Sequence, residues 1–337
     1  MHRTRNRPWS LLSTAGALLL GLALPTLAGC SRSEPSARHR LQIATIPKGT
    51  THQFWRNIEA GVKTAGRELD VDVIWQGPQR EDDRQLQIQV VQNFVSRGVD
   101  GIVLAPLDAR SLVRPVEASV RRGIPVVVID SGLESDAQQS FIATNNYEGG
   151  RMGAKRLSEV IGSGRRLILL RYQEGSASTT EREQGFLDGI AEYLPDAEFL
   201  SDRQHAGATL EKALQASQNL LNRFPDVDGI FCANESSTQG MLRALQTAGR
   251  AGDIKLVGFD INPTLQEAVR TGQIHGLAVQ DPFQMGYLGV KTLVQILRDE
   301  PFDARIDTRL LMVTKENIDD PNVQSILFPD LSILEDS

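Results

Sequence analysis

The chain has 337 residues, enough for two globular domains of ordinary size. Hydrophobic residues make up 40% of it and charged residues 23%, which is typical of a soluble folded protein. The formal net charge of −6 gives no electrostatic reason to expect nucleic acid as a partner, so a protein with a basic nucleic-acid groove is disfavoured.

Residues 1–30 have the pattern of a secretory signal peptide, with a basic lead and an apolar segment over 11–24. That segment is shorter than the roughly 20 residues of a bilayer span, so a permanent anchor helix is the weaker alternative. Residues 27–30 read LAGC and resemble the lipobox of bacterial lipoproteins. We expect lipid attachment at Cys30, followed by a polar tether over 31–40. An accidental cysteine near an ordinary cleavage site is the alternative.

The second cysteine, Cys232, lies in the apolar run GIFCA. With Cys30 used for lipid attachment, an intramolecular disulfide is impossible. We expect Cys232 to be a small buried hydrophobic residue rather than a nucleophile.

From residue 41 onward, short runs rich in β-branched residues alternate with stretches of helical hydrophobic spacing. The predicted strands are, in chain order, 41–46, 71–75, 101–105, 125–129, 141–143, 166–170, 229–233, 255–259 and 275–279. The strands lack polar alternation, as expected when both faces of a sheet are covered by helices. We predict an α/β fold with two doubly wound, Rossmann-like domains built on parallel sheets.

A weak internal repeat supports two similar halves. Val-Asp-Gly-Ile occurs at 99–102 and again at 227–230, and in each half the next predicted strand closes with an aspartate, Asp130 or Asp260. Ligands of open parallel sheets bind outside the carboxyl ends of the strands. Two such edges facing each other would form a cleft between the domains.

Polar segments that follow the predicted strands supply most candidate binding residues. These candidates are His52, Asp130, Ser131, Thr144, Asn234, Asp260 and Gln280. Such groups can donate to and accept from neighbouring hydroxyls, and each hydrogen bond to a charged group contributes roughly 1.5 to 3 kcal/mol. The pattern favours a neutral polyhydroxylated ligand. The alternative is that strand-end aspartates only cap turns or helices.

Two adjacent aromatic residues, Phe54 and Trp55, follow the first predicted strand. Neighbouring helical positions point about 100° apart, so we expect one of the two rings to face the cleft. An aromatic face suits the apolar C–H surface of a sugar ring. Packing of both rings in the core is the alternative.

The segment STTEREQGF carries a further candidate pair, Thr180 and Arg182. Thr180 with Glu183, and Ser178 with Glu181, each fit a capping box, which predicts that a helix begins in this segment. Arg182 would then lie in the first turn, where the helix dipole disfavours a cation. We therefore expect Arg182 to have a partner across the cleft.

Motifs for catalysis are absent from the sequence. It contains no G-x-S-x-G elbow, no phosphate-binding loop and no zinc-ligand spacing. The stretch EGGRMG at 148–153 has the wrong spacing for a dinucleotide turn, and we attribute its glycines to close helix packing. We expect no enzymatic activity, no metal and no cofactor. A secreted hydrolase is a minor alternative that turnover of a bound ligand would support.

Residues 41–313 resemble the type I periplasmic binding proteins of the ribose-binding kind, the extracytoplasmic receptors of sugar ABC transporters. The matching stretches include TIPKGTTHQFWRNIEAG, GVDGIVLAPLD, GIPVVVIDS, FIATNNYEGGRMGA, STTEREQGFLDGI, PDVDGIFCANE, LVGFD and GLAVQDPFQMGYLG. The resemblance implies two domains joined by three hinge crossings that close over a ligand. It places an N-terminal domain at 41–144 plus 281–308 and a C-terminal domain at 145–280 plus 309–330.

The resemblance also assigns roles within the cleft. Phe54 and Trp55 match the aromatic pair that stacks on the sugar, and either Arg182 or Thr180 matches a ligand contact on the family's arginine-bearing turn. The polar contacts to the sugar ring match Asp130, Thr144, Asn234, Asp260 and Gln280.

The chain also departs from the ribose-binding pattern. His52 stands where ribose binders have an asparagine, Ser131 where they have an arginine, and Ala105 where they have an asparagine. Residues 203–210 lack the family's second stacking aromatic. A different pentose or hexose, a cyclitol or a furanosyl autoinducer therefore remains open, and Lys48 with His52 suggests an additional polar or anionic group on the ligand.

The implied partners are a sugar or polyol, an ABC permease, and a bacterial membrane contacted through the lipid anchor. The protein is expected to be a monomer in the periplasm or at the cell surface. The alternative is a sensory receptor whose closed form docks on a membrane histidine kinase or chemoreceptor. Lactose-repressor relatives of the fold carry a DNA-binding helix-turn-helix before the first strand, where this chain has a signal peptide and tether, so nucleic acid is not expected.

Overall fold

The computed structural model describes residues 40–335, in which the strands form two six-stranded sheets. The predicted signal peptide, Cys30 and nearly all of the tether lie outside the described residues. The strands are β1 (Gln42–Ile46), β2 (Asp72–Trp75), β3 (Gly101–Leu104), β4 (Val126–Ile129), β5 (Ser140–Thr144), β6 (Arg166–Leu170), β7 (Glu198–Ser201), β8 (Gly229–Cys232), β9 (Lys255–Phe259), β10 (Gly276–Gln280), β11 (Arg305–Thr308) and β12 (Leu310–Val313).

Helices separate most of these strands. They are α1 (Gln53–Leu69), α2 (Arg84–Arg97), α3 (Val113–Arg121), α4 (Asn146–Val160), α5 (Ala177–Tyr193), α6 (Leu210–Arg223), α7 (Glu235–Thr247), α8 (Pro263–Arg270), α9 (Pro282–Leu297) and α10 (Pro321–Leu327), followed by a 3₁₀ helix (Ser332–Leu334). Among residues 40–335, no helix combines the length and apolar character needed to cross a membrane.

The first sheet has the strand order β11-β5-β4-β3-β1-β2, and all of its strands are parallel. We call it, with α1, α2, α3 and α9, the first lobe. Helices α1 and α9 pack on one face of the sheet, and α2 and α3 pack on the other. Covered faces explain why β3 and β4 are buried along their whole length.

The second sheet has the order β12-β10-β9-β8-β6-β7, with β12 antiparallel to β10. We call it, with α4 to α8 and α10, the second lobe. A single residue, Arg309, separates β11 from β12. The chain therefore enters the second sheet from the edge where the parallel strands end, and β12 must run against them. The predicted fold class of two doubly wound α/β domains is confirmed.

The chain passes between the lobes at three places. These passages lie between β5 and α4, between β10 and α9, and between β11 and β12. They support domain boundaries at 144/145, 280/281 and 308/309, which we retain as a proposal.

The internal repeat has a structural counterpart in the two strand-end aspartates. Asp130 and Asp260 both adopt a left-handed backbone conformation with φ of 64°. The amide of Asp130 donates to the carbonyl of Ile142 at 3.0 Å, and the amide of Asp260 donates to that of Ala278 at 2.9 Å. Aspartate tolerates this conformation better than most residues with a Cβ. The two lobes therefore present an equivalent carboxylate at equivalent positions of their sheets.

The glycines of 148–153 permit close packing of α4 on α5, as predicted. A Cβ at Gly150 would lie 1.9 Å from the carbonyl oxygen of Arg182, and one at Gly185 would lie 2.0 Å from that of Tyr147. This contact fixes the backbone of α5 at Arg182. Cys232 is fully buried, also as predicted, and burial raises the pKa of its thiol.

Candidate functional site

A cavity lies where the carboxyl ends of the two sheets face each other, and it holds about 330 Å³ of empty space, its open mouth included. Both lobes contribute to its lining. The lining residues are Lys48, His52, Phe54, Trp55, Glu81, Asp130, Tyr172, Ser178, Thr179, Arg182, Asn234, Glu235, Asp260 and Gln280. The cavity is in the cleft that the sequence predicted, and most of the predicted binding residues line it.

Three predicted binding residues lie elsewhere. Ser131 is buried beside the cavity, where its hydroxyl accepts from the amide of Ser178 at 3.1 Å. Thr144 lies at the end of β5, with its Oγ1 3.3 Å from that of Thr308 where the chain crosses between lobes. The hydroxyl of Thr180 donates to the carbonyl of Ser176 at 2.9 Å. Ser178 and Thr179 line the cavity in place of Thr180.

The capping-box interpretation of Thr180 is wrong. Helix α5 begins at Ala177 after Ser176 as its N-cap, so Thr180 lies inside it, and so does Ser178 of the other predicted capping box. Glu183 does not cap the helix either, since its carboxylate accepts from the amide of Tyr172 at 3.0 Å and from Arg171 at 2.7 Å.

The aromatic pair occupies the first turn of α1. The rings of Phe54 and Trp55 meet edge to face at a centroid distance of 5.0 Å and an angle of 85°, and both line the cavity. We expected one of the two rings to face the cleft, but both do. Helix α1 begins at the edge of the cleft, so side chains on different sides of its first turn contact the cavity. The backbone amide of Phe54 lies in the first turn, where helix amides have no partner within the helix. It donates to Oε2 of Glu235 in the opposite lobe at 3.3 Å.

Glu81 forms the centre of a buried hydrogen-bond cluster. Its Oε1 accepts from Nε1 of Trp55 at 2.7 Å and lies 2.6 Å from Nδ1 of His52. Its Oε2 accepts from the hydroxyl of Tyr172 at 2.6 Å. Burial by itself lowers the pKa of His52, but the carboxyl groups of Glu81, Glu235 and Asp260, with Glu81 foremost, together raise that pKa to about 9. Burial likewise acts to raise the pKa of Glu81, yet His52 brings it down to about 2.

A buried ion pair joins Lys48 at the end of β1 to Asp130 at the end of β4. Lys48 Nζ lies 2.7 Å from Oδ2 of Asp130, and each side chain is 4% exposed. The ammonium also donates to the hydroxyl of Ser178 in the second lobe at 3.1 Å. Oδ2 of Asp130 receives no aligned hydrogen bond from the described residues, so it can still accept one from a ligand hydroxyl.

Arg182 is held entirely by its own lobe. Its Nε donates to Asn146 at 2.8 Å and its Nη1 to the carbonyl of Ala233 at 3.0 Å. The guanidinium lies over the ring of Phe259, 3.8 Å from the centroid, and 3.8 Å from Oδ2 of Asp260. The predicted partner across the cleft is therefore wrong. Since α5 begins at Ala177, Arg182 lies beyond the first turn and the dipole argument does not apply.

The strand ends of the second lobe supply a group of hydrogen-bond acceptors. Oδ1 of Asp260 accepts from Nε2 of Gln280 at 2.7 Å, and Oδ2 accepts from the amide of Glu235 at 3.2 Å. Oε1 of Gln280 is buried and has no partner among the described residues. Burial raises the pKa of both carboxyl groups, Asp260 and Glu235. A hydroxyl donor placed here would satisfy an acceptor that the protein leaves open.

Asn234 has a structural role as well as a place in the lining. Its side-chain Oδ1 accepts from the backbone amide of Ser237 and caps α7. The backbone amide of Asn234 in turn donates to the hydroxyl of Ser237. Its Nδ2 donates a hydrogen bond to the hydroxyl of Ser236 at 3.2 Å. These contacts hold the side-chain amide of Asn234 in one orientation at the cavity wall.

Several lining residues were not among the predicted site residues: Glu81, Tyr172, Ser178, Thr179 and Glu235. Glu81 lies on the segment after β2, and Tyr172 lies just after β6. The strand-end rule applied to those two strands would have found both. Tyr172 gives the second lobe an aromatic residue in the cavity, although residues 203–210 contain none.

Comparisons with known proteins agree with this architecture. Residues 43–301 match the family model of the periplasmic binding protein domain. The ribose import binding protein of Escherichia coli strain K12 is 28% identical over 274 residues, which cover 81% of this chain and 90% of that protein.

Solved structures are similar over most of the chain. A carbohydrate transporter solute-binding protein from Agrobacterium radiobacter, in complex with D-arabinose, has a TM-score of 0.83 and 30% identity, covering 87% of this chain and 100% of that one. An ABC transporter solute-binding protein from Agrobacterium vitis, with bound D-fucose, has a TM-score of 0.81 and 35% identity, covering 85% and 100%. With its two lobes and polar cleft, this chain belongs to the type I periplasmic binding proteins of sugar ABC transporters, a family of binding proteins rather than enzymes.

Proposed function

We propose that this protein is a lipid-anchored extracytoplasmic receptor that captures a neutral sugar or polyol in its cleft and delivers it to an ABC permease. The observation that carries the proposal is the cavity lining, in which ionic groups are paired with one another while acceptors remain open. Closure of the lobes would surround the ligand and present a closed surface to the permease.

The charges of the lining support a neutral ligand. Lys48 is paired with Asp130 and His52 with Glu81, so neither cation needs an anionic group on the ligand. Acidic side chains also outnumber basic ones among the described lining residues: Glu81, Asp130, Glu235 and Asp260 against Lys48, His52 and Arg182. An anion entering this cavity would therefore gain no net attraction from the lining. The hypothesis of an extra anionic group on the ligand thereby loses its support.

The remaining chemistry of the lining suits a polyhydroxylated ring. The open acceptor of Gln280 can take a hydroxyl proton, and the Asp130 carboxylate can accept one beside its ion pair with Lys48. The rings of Phe54 and Trp55 provide an apolar contact. The empty space of about 330 Å³ includes the open mouth of the cavity and is therefore an upper bound, which favours a ligand no larger than a monosaccharide over an oligosaccharide. The D-arabinose and D-fucose complexes of the two similar structures support the same size class.

Titration calorimetry of the full-length chain tests this proposal. The panel is D-ribose, D-arabinose, D-allose, D-fucose, xylitol and myo-inositol, with glucose 6-phosphate as an anionic control. We expect one panel member to bind at a ratio of one per chain with Kd on the order of 1 μM, about −8 kcal/mol. The anionic control should not bind. Tight binding of the phosphate ester, or the absence of any binding, would contradict the proposal.

Delivery to a permease and anchoring at Cys30 complete the proposed function. The complete cleft within one chain supports a monomeric receptor in the periplasm or at the cell surface. Deleting the protein should abolish cellular uptake of the radiolabelled panel sugar that binds, and Cys30→Ser should release the protein from the membrane fraction. Unchanged uptake would favour the sensory receptor, which presents its closed form to a histidine kinase or chemoreceptor.

A further inference from the structure

The segment between β2 and α2 carries a carboxylate on which side chains from both lobes converge. Glu81 is 6% exposed, and its oxygens contact His52, Trp55 and Tyr172 at 2.6 to 2.7 Å. Its backbone carbonyl accepts from Nε2 of Gln173 at 2.9 Å. Glu81, His52 and Trp55 belong to the first lobe, whereas Tyr172 and Gln173 belong to the second.

The backbone leaves space for this carboxylate. A Cβ at Gly49 would lie 2.8 Å from Cγ of Glu81, so the absence of a side chain at Gly49 allows Glu81 to approach β1. The next residue, Asp82, reaches the other lobe separately and accepts from Nζ of Lys212 at 2.9 Å. The segment therefore contacts the second lobe through two adjacent residues, Glu81 and Asp82. The Glu81 contact is the buried one of the two.

The carboxyl groups around His52 come from three different parts of the fold. Glu81 follows β2, Glu235 begins α7, and Asp260 follows β9, and all three carboxyl groups raise the pKa of His52 against the effect of burial. Glu81 in turn faces His52, Lys48 and the hydroxyl of Tyr172. Because the pKa of His52 is raised, its charge is present below about pH 9 and is lost as the pH rises through that value.

We propose that Glu81 is a positioning residue of the cleft, which orients His52 and Trp55 toward the ligand and couples their arrangement to lobe closure through Tyr172. The inference rests on the proposed sugar-binding function and deepens it. With Nδ1 directed at Glu81, the other ring nitrogen of protonated His52 is a fixed donor for a sugar oxygen. His52 replaces the asparagine of the ribose-binding pattern that the chain resembles, so Glu81 would orient a donor of a different kind at this position.

A titration of the His52 ring by NMR tests the positioning role without any ligand. The full-length chain is compared with Glu81→Gln, and the His52 signal is assigned with His52→Gln. We expect a midpoint near pH 9 in the parent. In Glu81→Gln it should fall well below that value, because burial still lowers the pKa of His52 while the principal carboxylate that raises it is gone.

Asp82→Asn is the matched control, since it removes a charge from the adjacent residue and should leave the midpoint near 9. A midpoint in Glu81→Gln that stays close to the parent value would overturn the positioning role. A fall in Glu81→Gln that is matched by an equal fall in Asp82→Asn would overturn it too, because the effect would then belong to the segment's charge in general.

Binding measurements test the coupling to closure, with the panel sugar that binds the parent as the probe. Tyr172→Phe should raise the dissociation rate about three- to tenfold at every pH, because the lost hydrogen bond exists only between closed lobes. Glu81→Gln should lose further affinity as the pH rises from 6 to 8, whereas the parent should not. A parental dissociation rate in Tyr172→Phe would overturn the coupling. If no panel sugar binds the parent, the proposed function fails, while the NMR result still decides the role of Glu81.

Discussion

Asp260→Asn should weaken sugar binding about thirty- to hundredfold, equivalent to ~2 to 3 kcal/mol. The change removes a buried carboxylate that holds Gln280 in place and lies 3.8 Å from Arg182. Hydrogen bonds to a charged acceptor contribute more than those to a neutral amide. Titration calorimetry of the parent and the variant with the same panel sugar measures the difference.

Asparagine is preferable to alanine for this test because residue 260 adopts a φ of 64°. Asparagine tolerates the left-handed conformation, whereas alanine adds backbone strain of roughly 1 kcal/mol that would be confused with lost binding. Asp70→Asn is the matched control, since Asp70 also has a positive φ, at 54°, and its side chain is 91% exposed. If Asp260→Asn folds normally and binds within threefold of the parent, the assignment of Asp260 to the site is wrong.

Asp130→Asn should raise the Kd by about fiftyfold, because it leaves the buried ammonium of Lys48 without its counter-ion in the closed lobes. Removing one partner of a buried ion pair costs about 3 to 5 kcal/mol when the remaining charge stays buried. The cost falls mainly on the ligand-bound state, since opening of the lobes would return Lys48 to water. Melting temperatures with and without saturating sugar should therefore differ more in the parent than in the variant.

A double-mutant cycle separates the ion pair from the ligand contact. Lys48→Met with Asp130→Asn removes both charges, so the closed protein should regain stability relative to Asp130→Asn alone. Sugar affinity should stay low, because the carboxylate that accepts from the ligand is still missing. Additive effects of the two substitutions on stability would show that Lys48 and Asp130 do not depend on each other.

Much of the fold follows from local sequence patterns. Strands such as β3 and β4 are buried on both faces, so they appear in the sequence as uninterrupted apolar runs. The strands that the sequence analysis missed are β7, β11 and β12. All three are edge strands, and polar residues break the apolar run in EFLS of β7 and RIDT of β11. Strand β12 has the apolar sequence LLMV, but it is short and follows β11 after a single residue, so no turn or helix pattern marks it off.

The candidate site was predictable where it follows from topology. Asp130 and Asp260 end strands of parallel sheets, and parallel strands bring such residues to one edge whatever the loops do. The pairing of charges was not predictable, because it depends on distances between elements far apart in sequence. Lys48 and His52 pointed to an anionic ligand group until the structure placed Asp130 and Glu81 beside them.

Helix α5 does not begin where the local sequence pattern predicts. The sequence around Thr180 contains a valid capping pattern, but packing of α5 on the glycines of α4 favours a helix that begins at Ala177. Glu183 is then drawn into contacts with Arg171 and the Tyr172 amide. Tertiary packing thus outweighs a capping preference of about 1 kcal/mol.

Native mass spectrometry of the protein purified from its own host, without added sugar, tests whether the cleft holds a neutral sugar. We expect a folded chain carrying one neutral small molecule with the mass of a monosaccharide or polyol, and the same molecule missing from Asp260→Asn prepared in parallel. A bound anion, or a small molecule retained equally by Asp260→Asn, would contradict the assignment of this cleft as a neutral sugar site.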